Sequence, residues 1–158
     1  MNIRNYQPKD KSFLLDITMR AWEPVFREYE LSISPDIYEI FVPDWQAEQT
    51  RSLNTICDSP DIEVFVAEDQ GSILGFSSIS LHPDDYLGQI YMLGVDPEYQ
   101  SRGIGQMLMN ESIARIKNHG FKLVMVETGG DPGHEPARRI YEKMGFELTP
   151  VARYLKRI

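Results

Sequence analysis

Between Val95 and Gln106 the chain reads Val-Asp-Pro-Glu-Tyr-Gln-Ser-Arg-Gly-Ile-Gly-Gln, where a strand-forming run gives way to a helical one. Gly103 and Gly105 carry no side chain, so a ligand can approach the backbone where the first amides of a helix lack partners. Those amides, at the positive end of the helix dipole, suit an anion of diphosphate size, and Arg102 adds a cation beside them. Two common phosphate motifs are excluded. A dinucleotide fingerprint needs glycine at position 108, where the chain has Leu108, and no acidic residue closes a fitting second strand, which argues against a nicotinamide oxidoreductase. A P-loop needs Gly-Lys-Ser or Gly-Lys-Thr, and neither occurs.

Other chemistries find little material. His82, His119 and His134 have no paired ligand spacing, so no metal site is expected, and Cys57 has no neighbouring histidine to make it a nucleophile. Sixteen Lys and Arg against twenty-four Asp and Glu leave a net charge of -8, which opposes binding to nucleic acid. No apolar run approaches the roughly 20 residues that span a bilayer, and the start MNIRNYQPKDK lacks a secretion signal. With one cysteine and no possible internal disulfide, the expected compartment is the cytoplasm.

The elements that hold the glycine turn follow from periodicity. At 158 residues the chain fits one domain. Ile3 to Gln7 reads as a strand, and Pro8-Lys-Asp10 as a turn in which Asp10 caps a helix carrying Phe13, Leu14, Ile17, Ala21 and Trp22. Pro24, Pro35 and Pro43 break the next stretch before a helix over about 44–56. Ile62 to Val66, Ile73 to Leu81 and Gly88 to Val95 predict three sequential antiparallel strands. A helix over about 103–118 is closed by Gly120, a left-handed cap. A strand over 123–127, a polar loop and a helix over 136–144 follow. Phe146 is expected to begin another strand, with a last one after Pro150. The order β-α-α-β-β-β-α-β-α-β-β implies a mixed α/β sheet with helices on its faces.

Gln100-Ser-Arg-Gly-Ile-Gly105 resembles the Gln/Arg-x-x-Gly-x-Gly/Ala signature of the GNAT N-acetyltransferases. The likeness extends upstream through Leu93-Gly-Val-Asp-Pro-Glu-Tyr99 and downstream to Ala137-Arg-Arg-Ile-Tyr-Glu-Lys-Met-Gly-Phe146, covering about 89–148. It implies the acyl-CoA N-acyltransferase fold, a mostly antiparallel sheet whose fourth strand bulges and parts from the fifth, with a cofactor core over 89–148 and acceptor elements over about 10–57. It also implies acetyl-CoA as co-substrate, without metal, and direct acetyl transfer to a primary amine of a small molecule or peptide. The pantetheine arm would pair with backbone at Leu93, Gly94 and Val95, and the diphosphate would rest on Gln100, Ser101, Arg102, Gly103, Ile104, Gly105 and Gln106. Relatives often dimerise through sheet edges or the C-terminal strand, so a homodimer is a further expectation.

Acyl transfer to nitrogen needs a neutral amine and a proton for the departing thiolate. The resemblance assigns the acid to Tyr141. For the base, the strand position that holds glutamate in some relatives is Gln89, an amide that takes up no proton. Glu127 takes its place as first candidate, ahead of His82, Asp84 and Asp85 or a water chain. His134 stands where relatives have asparagine near the cofactor arm, beside Ala137, and can bind cofactor or substrate. Arg138 and Arg139 could meet phosphates or simply face solvent. Trp22, Phe26 and Tyr29, with Tyr91 and His82, are the acceptor candidates, and Glu23, Glu28 and Glu30 would suit a cationic amine. A second reading is a CoA-binding sensor that has lost the chemistry, consistent with Gln89 and His134.

Overall fold

The computed structural model describes residues 1–158. Five strands, β1 (Asn2–Asn5), β2 (Ile62–Asp69), β3 (Ser72–His82), β4 (Leu87–Val95) and β5 (Leu123–Val126), form one sheet in sequence order. The first four pair antiparallel and β5 joins β4 in parallel, so the expected mixed sheet is present. The helices are α1 (Lys11–Ser32), α2 (Pro35–Phe41), α3 (Trp45–Asp58), α4 (Ile104–Asn118) and α5 (Glu135–Lys143).

Alternation along the strands gives the sheet two apolar faces. Phe65, Ala67, Ile79 and Ile90 point to one face and pack with Leu108, Met109 and Ile116 of α4, with Tyr141 of α5 and Met144 just after it at the margin. Val64, Val66, Phe76 and Met92 point to the other and pack with Leu14 and Ile17 of α1 and Leu53 and Ile56 of α3. Each fully buried Leu, Ile or Phe contributes about 1.5–3 kcal/mol relative to exposure, so both faces are substantial cores. α4 closes on Gly120 at φ +90°, the left-handed cap expected there.

Four local expectations are corrected. Pro24 does not end α1 but lies inside it, exposed, where it removes one donor to the Arg20 carbonyl. Burial of Trp22 and Val25 on the other side outweighs that cost of about 3 kcal/mol. Pro35 starts α2 at a helical first position, where a missing amide costs nothing. Asp10 does not cap α1 with its side chain: its buried carboxylate accepts from Arg4 at 2.7 Å and from the Gln7 amide at 2.8 Å, tying β1 to the helix start. Burial alone would push this carboxyl up, but the Arg4 and Gln7 hydrogen bonds outweigh it and hold it below the usual range. Finally, residues 146–158 form no strand. Pro150 lacks a donor, the apolar residues after it do not alternate, and Leu148, Val151 and Tyr154 lie exposed.

Candidate active site at the parting strands

β4 and β5 pair from Leu87 opposite Leu123 to Ile90 opposite Val126, and there the pairing stops. β5 ends while β4 runs on to Val95, so the backbone of Tyr91 to Val95 has no strand on that side. The departure coincides with a bulge. Ser78 pairs with Met92 and Ile79 with Ile90, leaving Tyr91 as the extra residue, and bulges bend the strand that carries them. The buried Ser78 hydroxyl fixes the irregularity by accepting the Met92 amide at 3.1 Å.

Past the gap, the Val95–Gln106 segment turns into α4. Asp96 accepts the Glu98 amide at 3.0 Å, and Gln100 donates its side-chain amide to the Val95 carbonyl at 3.2 Å. Ser101 at φ +62° and Gly103 at φ +81° then twist the chain so that α4 starts at Ile104. The first bond of the helix turn is Met107 amide to Gly103 carbonyl, at 3.0 Å, so the amides of the preceding residues stand free at the helix start. A β-carbon placed on Gly103 would meet nothing within 4 Å, and one on Gly105 would meet only Val95 at 3.7 Å. The cradle is open to an anion, and Arg102 lies over the Tyr99 ring beside it.

Two contacts from α1 position this segment, and neither was legible from sequence. Arg20 donates to both carboxylate oxygens of Asp96, at 2.7 and 2.8 Å, and Asp96 is 8% exposed. The hydrogen bonds from Arg20 hold the Asp96 carboxyl below its usual range, against burial. Trp22 packs on Gly94, where an added β-carbon would lie 2.9 Å from the indole and 2.9 Å from the Phe76 ring.

The residues expected as acid and base come from two places, Tyr141 from α5 and Glu127 from the end of β5. Tyr141 is largely buried beside Phe146, ring centroids 6.0 Å apart, and burial pushes its phenol up, so it keeps its proton at neutral pH. Glu127 follows the end of β5, exposed, with the Gln89 amide 3.5 Å from its carboxylate. The loop after it folds back on α1: a β-carbon on Gly133 would lie 3.0 Å from the Val25 carbonyl and 3.0 Å from Glu28. Within this loop the His134 ring is bonded to Asp131 at 2.6 Å. Arg138 does not reach toward the cradle but donates to the carbonyls of Gly129 and Asp131, at 2.6 and 2.8 Å, while Arg139 pairs with Glu135 in solvent. Ala137 is half-buried between His134 and Tyr141.

The acceptor candidates are less concentrated. Trp22 lies against β4 and Tyr91 is exposed at the bulge, both beside the gap. Phe26 instead stacks on Trp45 at 4.9 Å and Tyr29 meets Tyr38 edge-on at 6.1 Å, on α3 and α2 respectively. Between these helices is a cleft of about 410 Å³ edged by Glu23 and Glu30, with Glu23 paired to Arg27. His82 sits at the β3–β4 hairpin, bonded to Ser80 at 3.0 Å and opposite Leu87. Seven residues of strand, about 23 Å, separate Leu87 from Gly94.

The acetyltransferase (GNAT) family model matches residues 34–146. The chain belongs to this family. Similar curated relatives of this GNAT chain include the mycothiol acetyltransferases of Thermomonospora curvata, 36% identical over 102 residues, and Streptomyces coelicolor, 30% over 82. These matches cover 65% and 52% of the chain but 33% and 26% of the relatives. The GNAT chain thus spans about a third of the length of the curated relatives it matches. Among solved structures, the PaiA N-acetyltransferase of Thermoplasma acidophilum in complex with coenzyme A aligns at TM-score 0.73 with 18% identity, over 96% of this chain and 92% of that one. An aminoglycoside 6'-N-acetyltransferase of Acinetobacter haemolyticus aligns at 0.71 with 12% identity, over 100% and 99%. They share the GNAT fold.

Proposed function

We propose that this chain is an N-acetyltransferase that moves an acetyl group from acetyl-CoA to a primary amine of a small molecule or peptide, directly, in a ternary complex. The observation that carries the reading is the unpaired backbone of Tyr91 to Val95 leading straight to the free amides before Met107. A pantetheine arm has an amide backbone of its own and completes the parted strand at Leu93 and Val95, while the diphosphate takes the amides of Gln100 to Gln106. The cofactor half is the stretch over about 89–148, and α1 with its neighbours, about 10–57, forms the acceptor half.

In this reading Tyr141 is the acid. Its buried phenol stays protonated and donates to the thiolate as the carbon–sulfur bond breaks. Most of the rate comes from holding amine and thioester together, with amides at the bulge stabilising the oxyanion. Glu127, charged and exposed beside Gln89, draws the ammonium form of the acceptor to the gap. Two groups there can take the amine's proton, Glu127 through water and His134. The names of the curated relatives and of the aligned structures support a small amine as acceptor, and a cytoplasmic site of action fits the composition.

The other reading, a CoA-binding sensor without chemistry, rests on Gln89 at a position where a carboxylate would serve as base. Calorimetry with acetyl-CoA and CoA, together with thiol release in the presence of a primary-amine panel, separates the two. Binding with thiol release supports the enzyme, binding alone supports the sensor, and no binding refutes both.

A further inference from the structure

We infer that His134, held by Asp131, is the catalytic base of this site, accepting the proton of the attacking amine at Nε2. The inference rests on the acetyltransferase reading and adds to it the group that sequence comparison leaves missing at Gln89.

The pair is built rather than incidental. His134 Nδ1 lies 2.6 Å from Asp131 Oδ2, and the Asp131 side chain is 5% exposed against 26% for His134. With the carboxylate as acceptor, Nδ1 carries the shared hydrogen and Nε2 is the ring nitrogen left free for a substrate. Gly129 and Gly133 wrap the carboxylate: β-carbons there would fall 2.3 Å from Oδ2 and 3.1 Å from Oδ1. Arg138 locks the same loop by its two carbonyl bonds. Asp131 Oδ1 is the one buried side-chain polar atom of the molecule with no partner. A carboxylate desolvated to this degree is costly unless a cation faces it, and an imidazolium formed at His134 during turnover supplies one.

Placement agrees. His134 caps α5 with helical backbone angles, φ -94° and ψ 0°, so it continues the helix line. Tyr141 lies seven residues on, two turns along the same side and about 10 Å up the axis. One helix line therefore carries His134 and Tyr141, and the His134 loop packs on α1 at Val25, one turn beyond the Trp22 that lies on Gly94 at the gap. In the step, the neutral amine's lone pair forms the N–C bond as its proton passes to Nε2. The C–S bond breaks, and the sulfur takes the Tyr141 hydroxyl proton. Solvent then removes the proton from His134 and returns one to Tyr141, leaving amide and free thiol.

His134→Asn decides the matter, because asparagine keeps a hydrogen bond for a cofactor arm but takes up no proton. With acetyl-CoA and a panel of spermidine, tyramine, glucosamine and a glycyl peptide, kcat of H134N is expected to fall about 10²–10⁴-fold. KM for acetyl-CoA should stay within about twofold, and the acid limb of the pH–rate profile should disappear. The ionisable groups of the elements packed around the ring are Asp131 on the ring itself, Arg138 on the Gly129 and Asp131 carbonyls, and Glu28 of α1 against Gly133; Glu127 and Tyr141 are the other titratable groups the reading invokes. Glu127→Gln should lose far less than H134N. In the unsubstituted protein, long-range proton–nitrogen spectra should show His134 protonated at Nδ1, a signature that Asp131→Asn removes. An H134N enzyme with kcat within about threefold, or His134 protonated at Nε2, overturns the assignment. Absence of transfer by the unsubstituted protein instead refutes the acetyltransferase reading beneath it.

Discussion

Replacing Asp96 by asparagine tests how the glycine turn is anchored. The carboxylate accepts two short bonds from Arg20 and one from the Glu98 amide. A hydrogen bond involving a charged group contributes about 1.5–3 kcal/mol, and leaving a buried charge unpaired costs more. Asparagine keeps one acceptor, so it loses one charged bond and the ion-pair attraction. The Arg20 side chain is 38% exposed and also holds Asp16, so water and Asp16 recover part of the loss. The expected cost of D96N is therefore about 2 kcal/mol at pH 7, or roughly 4–8 °C in Tm for a chain of this size. The sign with pH is fixed. The Asp96 carboxyl is depressed in the folded state, so its contribution is complete above the unfolded value near 4 and is lost as pH falls through the folded one. Urea titrations at pH 7 and pH 3 should show a midpoint gap between D96N and the parent that narrows in acid, with m unchanged. A gap below about 0.5 kcal/mol at pH 7, or one equal at both pH values, would refute the anchoring argument.

Other outcomes follow from the same geometry. Ser78→Ala strands the buried Met92 amide, so stability should fall by about 1–3 kcal/mol and acetyl-CoA should bind more weakly in calorimetry as the bulge relaxes. Gly103→Ala meets no neighbour but forces alanine to φ +81°, a backbone cost of about 1–2 kcal/mol. The check is a urea midpoint lowered to match, with acetyl-CoA affinity reduced. Tyr141→Phe should cut kcat by about 10²-fold or more with little change in KM, whereas a purely packing tyrosine would leave turnover intact. Burial pushes the Cys57 thiol up, so disulfide reagents should label it slowly at pH 8 and quickly only after unfolding.

The hairpin strands, α4 and the glycine cradle were legible because each depends on local rules: alternation, helical period, and glycine where φ is positive. The prolines misled for a related reason. Pro24 and Pro35 have the same local chemistry, yet one is carried inside a helix by tertiary packing and the other begins a helix, and only the packed chain distinguishes them. The bulge at Tyr91 leaves no mark in β4 itself, since its fixing partner is a serine one strand away. Arg20 and Asp96 are seventy-six residues apart in sequence, so nothing local links them. Asp131 stands three residues before His134, a spacing visible in the sequence, but only burial of the carboxylate gives the pair chemical meaning.

The sheet keeps two oily compartments apart, with α1, α3 and their cluster on one side and α4 and α5 on the other. Beyond its core packing, α1 reaches the end of β4 and the turn that follows through one guanidinium and one indole. A graft that exchanges residues 10–57 therefore has a definite list of obligations. It must deliver an arginine to Asp96 and a flat ring to Gly94, keep Leu14, Ile17, Leu53 and Ile56 on the sheet, and leave the Val25 and Glu28 surface on which the 129–134 loop rests.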